Sequence, residues 1–439
     1  MKVMKFGGTS VGSAQRMKDV STLITNDSET KIVVLSAMSG TTNTLVEISD
    51  YLYKKNPEGA NNLINRLEQK YRNHVEELFS TEEFKQKTLQ FLLDEFNYLK
   101  RFSKVLFTPF EEKVVLAQGE IISTNIMTNY LKERGVNVIL LSALDFLRIN
   151  KNAEPSFNYI TEKLKGLLAA NPGYDIYLTQ GFICRNSLGE VDNLLRGGSD
   201  YTACIIGAAL KCSEIQIWTD IDGMQNNDPR IVENTKPVRQ LSFEEAAELA
   251  YFGAKILHPT CIQPAKFAGV PVRLLNTMDP TAPGTIINGE FREGSIKSVA
   301  AKDNIVAIRI HSSRMFLAYG FMRKVVEVFE SYKTSIDMIS TSETGVLVTI
   351  TNIAYLKDIV EDLKVYGTVS VDDNLCIVCV VGDLSPENSG YTYLAAQALK
   401  DIPVYMISYG GSSHYISFLI KSEHKGYALR SLNKVLFNQ

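Results

Sequence analysis

The chain has 439 residues, 45% hydrophobic and 22% charged, with 46 Lys and Arg against 49 Asp and Glu for a net charge of −3. Those proportions fit a folded globular protein of about three domains and exclude a disordered chain, and no basic excess speaks for nucleic acid. No apolar run is long enough for a membrane span, no N-terminal signal pattern is present, and six cysteines are too sparse for a disulfide framework, so a reducing cytoplasm is the expected setting.

In chain order, short and almost wholly apolar runs at residues 3–6, 31–36, 136–142, 176–179 and 215–219 read as strands. Apolarity without alternation predicts strands covered on both faces, hence a mostly parallel sheet between helices, among them 200–211 and 243–250. Residues 59–115 break the rhythm. Ile64, Leu67, Tyr71, Val75 and Leu78, then Leu89, Leu92, Leu93, Phe96 and Leu99, recur at helical spacing, which predicts a helical insertion packed on the sheet. A turn-rich stretch from Asp279 and a loop at 289–295 close this region. Beyond it, strands at 304–310, 335–340 and 345–351 with helices at 321–332 and 354–366 make a βαββα unit, with a further strand at 368–372. A second unit follows, with strands at 375–381, 403–408 and 415–420 and helices at 391–399 and 425–437. It ends without a closing strand, so the two repeats are expected to exchange strands.

Three glycine-bearing turns stand at predicted strand ends or helix starts: KFGGTS from Lys5, SAMSGTTN from Ser36 and RGGSDYTA from Arg196. Ligands of open α/β sheets bind at the carboxyl ends of the strands. Glycines let a backbone approach a phosphate, a helix N-terminus favours an anion, and Lys5 adds a cation. Thr9 and Ser10 are suited to cap the following helix. The glycine pair Gly7-Gly8 is as compatible with a structural turn. Arg196 suits a bidentate clamp on a carboxylate, although a lone arginine is more often a surface residue. Glu120, in the apolar GEIIS stretch, either meets an ammonium or caps a helix, and by itself the sequence favours the cap. WTDIDG from Trp218 and DPR from Asp228 form an acidic turn-rich loop suited to a nucleotide or its metal, or simply to water; GAKILHP from Gly253 brings a second lysine. Two lysines and an arginine around phosphates meet the main need of phosphoryl transfer.

These six motifs, in this order, resemble those of aspartate kinases of the amino-acid kinase superfamily, and TSE at 341–343 resembles the regulatory tail of that family. The resemblance spans essentially the whole chain. It implies a three-layer αβα amino-acid kinase fold with a mostly parallel sheet over residues 1–295, including the 59–115 insertion, followed by two α+β ACT units of βαββαβ type at 300–373 and 374–439. The implied reaction transfers a phosphoryl group from MgATP to the side-chain carboxylate of L-aspartate, the first step of lysine, threonine and methionine biosynthesis. By motif match, Lys5 and Asp200 are the catalytic pair, with Asp200 organising the lysines rather than acting as a base. Ser36, Thr42, Glu120, Phe182, Arg196 and Ser199 would line the aspartate pocket, Glu120 against its amino group. Lys5, Gly7, Gly8, Thr219, Asp220, Gln225, Arg230 and Lys255 match nucleotide-binding positions. Met315, Gly320, Phe321, Met322, Ser335, Asp337, Thr341 and Glu343 match effector positions, for lysine or threonine. A homodimer or homotetramer through the ACT units is implied, with neither nucleic acid nor membrane as partner.

Two departures stand out. Gln225 replaces a tyrosine common in the loop after WTD, and Leu317 and Ala318 stand where lysine-inhibited relatives carry His-Ser. Cys376 and Cys379 form a CxxC inside a strand pattern and are read as core, not metal ligands. His74, His311, His414 and His424 lack any catalytic or metal-binding context, and His258 is read as structural. The competing readings are another amino-acid kinase of the same fold and an amino-acid sensor with a vestigial kinase site.

Overall fold

The structure, a computed structural model, describes residues 1–194, 197–253, 257–291, 294–312 and 319–437. The chain forms two units: Met1–Met224 with Arg239–Phe243 and Ile256–Glu290, and Gln225–Val238 with Glu244–Lys255 and Phe291–Gln439.

In the first unit the strands are β1 (Lys2–Phe6), β2 (Lys31–Leu35), β3 (Val138–Leu141), β4 (Ile176–Gln180), the hairpin β5 (Ile183–Arg185) and β6 (Val191–Asn193), β7 (Ile215–Thr219), β8 (Gln240–Ser242), β9 (Val272–Asn276) and β10 (Thr285–Asn288). Eight of them make one sheet in the order β3-β4-β2-β1-β7-β9-β10-β8. The first six run parallel, while β10 is antiparallel to β9 and parallel to β8. Every residue of β2 and β4 is buried, as the unbroken apolar runs predict. The helices of the first half are α1 (Ala14–Ile24), α2 (Thr41–Tyr53), α3 (Pro57–Leu78), α4 (Glu82–Arg101), α5 (Pro109–Glu133), α6 (Ala143–Phe146), α7 (Phe157–Ala170) and α8 (Gly198–Leu210).

One expected cap moves. Helix α1 begins at Ala14, and Ser13 caps it by accepting the Arg16 amide, not Thr9 or Ser10. The Ser10 hydroxyl is engaged instead with that of Thr277 at 2.8 Å, so it is spent on joining the first turn to the end of β9.

Residues 59–115 are helical. Ile64, Leu67, Tyr71, Val75, Leu78, Leu92, Phe96 and Leu99 are buried, and they share one core with Phe6, Val33 and Leu35 of the sheet. Leu89 and Leu93 are only half-buried. Thr108 and Glu111 form a reciprocal capping box with Pro109 in the first turn, and this starts α5, which runs on to Glu133. That helix is buried on nearly all sides through its second half, so it passes through the interior rather than over it.

Burial beside α1, helped by Lys70, pushes His74 down to about 4. A histidine held neutral stabilises the fold above its unfolded pKa of about 6.5, and that contribution is lost as the pH falls through the folded value. The thermal midpoint of the wild type should therefore drop relative to His74→Phe between about pH 6.5 and 4 and stay parallel to it above. A pH-independent difference would show that His74 is not buried neutral.

The second unit contains α9 (Phe243–Tyr251) except for its first residue; α10 (Gln263–Ala268) belongs to the first unit. Its sheet comprises β11 (Ile296–His311), β12 (Ile336–Thr341), β13 (Gly345–Ile350), β14 (Thr368–Gly382), β15 (Val404–Ser408) and β16 (Tyr415–Lys421), in the order β12-β13-β11-β14-β16-β15, all antiparallel. The helices are α11 (Phe321–Ser331), α12 (Leu356–Leu363), α13 (Ser389–Ala398) and α14 (Lys425–Phe437).

Strands expected to be separate are continuous. Each of β11 and β14 is long and serves two modules. The stretch Ile305–His311 pairs with β13 and with the first part of β14, and completes a core around α11 and α12. The stretch Ile296–Lys302 pairs with Ile377–Gly382 and supplies the closing strand that the second repeat lacks, over a core around α13 and α14. The join is a pair of left-handed asparagines, Asn304 and Asn374, at the register shift. Cys376 and Cys379 are both fully buried in β14. Among the described residues, no helix is long and apolar enough to cross a membrane.

Candidate functional site

Three chain turns meet at the carboxyl ends of β1, β2 and β4 and enclose a cavity of about 410 Å³. Its lining includes Lys5, Gly8, Ser36, Thr42, Glu120, Phe182, Ser199 and Asp200. Eight of the residues singled out from the sequence, drawn from segments as far apart as β1 and α8, thus share one cavity. The site lies at the carboxyl ends of parallel strands, the side on which open α/β sheets bind ligands.

One wall of the cavity carries positive charge, while Asp200 and Glu120 also line it. Lys5 projects from the penultimate position of β1, 9% exposed, and its ammonium lies 2.6 Å from the Asp200 carboxylate. Helices α2 and α8 both begin at the cavity wall, each after a glycine in the left-handed conformation, Gly40 (φ 81°) and Gly197 (φ 78°). Their free N–H groups add partial positive charge at the ends of the two turns. The Ser39 amide donates to the Gly8 carbonyl at 3.1 Å, and this ties the first turn to the second.

Glu120 is not a helix cap. It stands mid-way along α5 and is 4% exposed. Its Oε1 accepts the Ala37 amide at 3.1 Å, whereas its buried Oε2 has no hydrogen-bond partner among the described residues. Burial pushes its pKa up to about 8, opposed by the Ala37 and Glu120 amides and by Lys5. A buried carboxylate oxygen without a partner, in the wall of a cavity, is the signature of a site that awaits a donor.

Phe182 sits between β4 and β5 with φ 66°, its amide donating to the Thr202 hydroxyl at 3.1 Å. Ser199 and Asp200 occupy the first turn of α8 and are 8% and 9% exposed. Gly7 adjoins the cavity without lining it: a Cβ built there would stand 3.5 Å from Lys5 Nζ. Thr219 ends β7 and its carbonyl accepts the Thr277 amide at 2.7 Å, while Asp220 is exposed next to it. Neither belongs to the cavity lining.

Gln225 and Arg230 belong to the second unit. The Gln225 carbonyl accepts the Ser298 hydroxyl, and Arg230 is paired with Asp228 at 2.7 Å. Arg196, Lys255, Met315, Leu317 and Ala318 lie outside the described residues.

Of the effector positions, Gly320 (φ 78°) precedes α11, Phe321 and Met322 open it, and Ser335, Thr341 and Glu343 are exposed around β12. Asp337 differs from these. Its side chain is 3% exposed and accepts hydrogen bonds from Tyr251, Lys302 and Thr351, each at 2.7 Å.

Sequence reasoning missed Tyr71 and Thr41, whose hydroxyls meet at 2.9 Å behind the Ser36 turn. It also missed Ser123, which donates to the Ser36 carbonyl at 2.8 Å.

Residues 1–276 match the model of the amino acid kinase family, and residues 378–436 match that of an ACT domain. The chain is 30% identical to Lysine-sensitive aspartokinase 3 of Escherichia coli (strain K12), over 99% of both chains. It is 33% identical to Aspartokinase 1, chloroplastic, of Arabidopsis thaliana, over 99% of this chain and 80% of that one. A crystal structure of E. coli aspartokinase III in complex with aspartate and ADP superposes with a TM-score of 0.86, at 29% identity and 100% coverage of both chains. With the kinase-family match over residues 1–276, the ACT match near the C-terminus and full-length likeness to these enzymes, the chain belongs to the aspartokinases of the amino acid kinase family.

Proposed function

We propose that the protein transfers the γ-phosphoryl group of MgATP to the side-chain carboxylate of L-aspartate, giving 4-phospho-L-aspartate and ADP, the entry to lysine, threonine and methionine biosynthesis. The observation that carries this reading is the pairing, in one cavity, of an ammonium beside two helix N-termini with a buried carboxylate whose second oxygen has no partner among the described residues. The first suits an anionic phosphoryl group and the second suits the ammonium of an amino acid. Likeness to a relative crystallised with aspartate and ADP supports the same assignment.

In this reading Glu120 Oε2 receives the substrate ammonium, and Ser36, Thr42, Phe182, Arg196 and Ser199 surround the rest of the amino acid. One oxygen of the aspartate side chain forms a bond to the γ-phosphorus. The bond from that phosphorus to the β,γ-bridging oxygen breaks, and its electron pair leaves with ADP. No proton need move, because an aspartate side chain with a pKa of about 3.9 is already ionised. Catalysis therefore lies in position and charge. Lys5 Nζ and the N-termini of α2 and α8 face the charge on the moving phosphoryl group. Asp200 holds the Lys5 ammonium in place and is not a base. Gly7 and Gly8 let the first turn approach the phosphates, and Thr219, Asp220, Gln225, Arg230 and Lys255 are assigned to the nucleotide.

Among the described residues, no cluster of three or more His, Cys, Asp and Glu side chains could cage a metal. Mg²⁺ binds mainly through phosphate oxygens and water with one or two carboxylates, so it would arrive with the nucleotide and neutralise phosphate charge. An amino-acid effector, lysine or threonine, is assigned to the ACT modules, as is assembly into a homodimer or homotetramer; the lysine-sensitive relative motivates the first.

The test is an ATP assay with L-aspartate, L-glutamate or N-acetylglutamate as acceptor, trapping acyl phosphate as the hydroxamate. Product with L-aspartate alone is expected. Product with either other acceptor in its place would assign a different amino-acid kinase, and none at all would leave a vestigial site.

A further inference from the structure

The turn that walls the cavity, residues 36–43, is gripped from two sides. On one side stands α5. Gly119 approaches so closely that a Cβ there would lie 2.7 Å from the Ala37 methyl carbon, and Glu120 takes the Ala37 amide. On the other side stands α3, which belongs to the helical insertion. Its Tyr71 is fully buried, and its hydroxyl lies 2.9 Å from that of Thr41, itself fully buried at the first position of α2. One side-chain oxygen thus ties α3 to the end of the turn. Next to it, Lys70 Nζ donates to the Ser39 carbonyl at 2.7 Å.

Packing does not account for that oxygen. The Tyr71 ring fits the insertion core against Phe96, with centroids 5.9 Å apart, and a phenylalanine would fill the same space. Placing a hydroxyl in such surroundings is costly unless it is hydrogen-bonded, and here its bond goes to the turn. Burial, with the nearby Glu120 carboxylate acting in the same direction, raises the phenol well above its ordinary pKa, so it stays a neutral O–H able to donate and accept.

We propose that Tyr71 is a positioning residue for the aspartate half of the reaction: through Thr41 it fixes the 36–43 turn against Glu120, which makes the helical insertion a working part of the substrate pocket. This rests on the assignment of aspartate as substrate. The turn carries Ser36 and Thr42, and displacement of such groups by about 1 Å is enough to lower turnover and binding severely.

The experiment compares wild type, Tyr71→Phe, Thr41→Val, Thr41→Ser and the Tyr71→Phe/Thr41→Val pair. Wild-type phosphorylation of aspartate is the control, since its absence removes the substrate assignment and not merely the role of Tyr71. With that activity present, Tyr71→Phe should raise KM for aspartate about tenfold while KM for ATP moves less than about twofold, as expected for the loss of one hydrogen bond. Thr41→Val should match it, Thr41→Ser should keep the wild-type value, and the double variant should be no worse than either single. Amide hydrogen exchange over residues 36–43, measured without substrate, should quicken in Tyr71→Phe. Equal shifts in both KM values, no shift in either, additive single effects or unchanged exchange would each overturn the proposal. Should Tyr71→Phe fold poorly, Thr41→Val against Thr41→Ser decides it alone.

Discussion

Lys5→Met should lower kcat by roughly 10²–10³-fold, the usual cost of removing one preorganised charge-stabilising donor. The ammonium stands at the end of a central strand, 9% exposed, with its position set by Asp200 at 2.6 Å. In the proposed reaction substrate and ATP bring negative charge to the same cavity, so a cation there gains most as charge shifts onto the leaving oxygen. The single variant also leaves the Asp200 carboxylate buried without its partner, which costs about 3–5 kcal/mol of stability. A fall in activity alone could then reflect unfolding. Lys5→Met with Asp200→Asn separates the two: the thermal midpoint should recover toward wild type while turnover stays low. Recovery of turnover together with stability would reduce Lys5 to a structural ion.

Glu120→Gln should raise KM for aspartate by roughly 10²-fold, in the range for loss of one partner of a desolvated charge pair, with KM for ATP nearly unchanged. Equal effects on both substrates would remove Glu120 from the amine pocket. Its pKa supplies two further expectations with opposite signs. Because burial holds the carboxyl up to about 8, the empty site is mostly protonated at neutral pH, and the substrate ammonium prefers the ionised form. KM for aspartate should therefore fall as pH rises from about 6.5 toward 8.5, and the Gln variant should lose that dependence. Stability runs the other way. A carboxyl with a raised folded pKa contributes in full below the unfolded value of about 4.3 and loses that contribution as pH rises through the folded value. Relative to Glu120→Gln, the wild type should thus lose thermal midpoint between about pH 4.3 and 8 and no further above. Stability sacrificed for a poised binding group is common in functional sites.

These same residues show what a sequence can disclose. Strands such as β2 were legible because both faces are buried, so KIVVL carries no alternation to misplace. Once those strands are placed, Lys5, Ser36 and Phe182 fall at their carboxyl ends without further information. Glu120 was harder. Helix α5 buries residues on most sides through its second half, so no apolar stripe marks its extent, and GEIIS reads as easily as a boundary. Its partner Ala37 lies 83 residues away. The cap of α1 turned on a similar long-range event, since Ser10 is engaged by Thr277 and leaves Ser13 to close the helix. Tyr71 was legible only as a core position at helical spacing. Its hydroxyl has a purpose only where α3 and the 36–43 turn meet, which no local pattern encodes. In the second unit the repeats and an exchange of strands between them were legible, but not that the exchange runs through two long continuous strands, because the breaks at Asn304 and Asn374 look like chain turns when only neighbours are considered.

The most direct measurement of the central claim follows the oxygen. L-Aspartate labelled with ¹⁸O in its side-chain carboxylate is incubated with the enzyme and MgATP, and the product is read by ³¹P NMR. An aspartate-dependent acyl phosphate whose phosphorus carries a bridging ¹⁸O, formed in step with ADP, is the expected product. ADP released with unlabelled inorganic phosphate and no labelled acyl phosphate would contradict it.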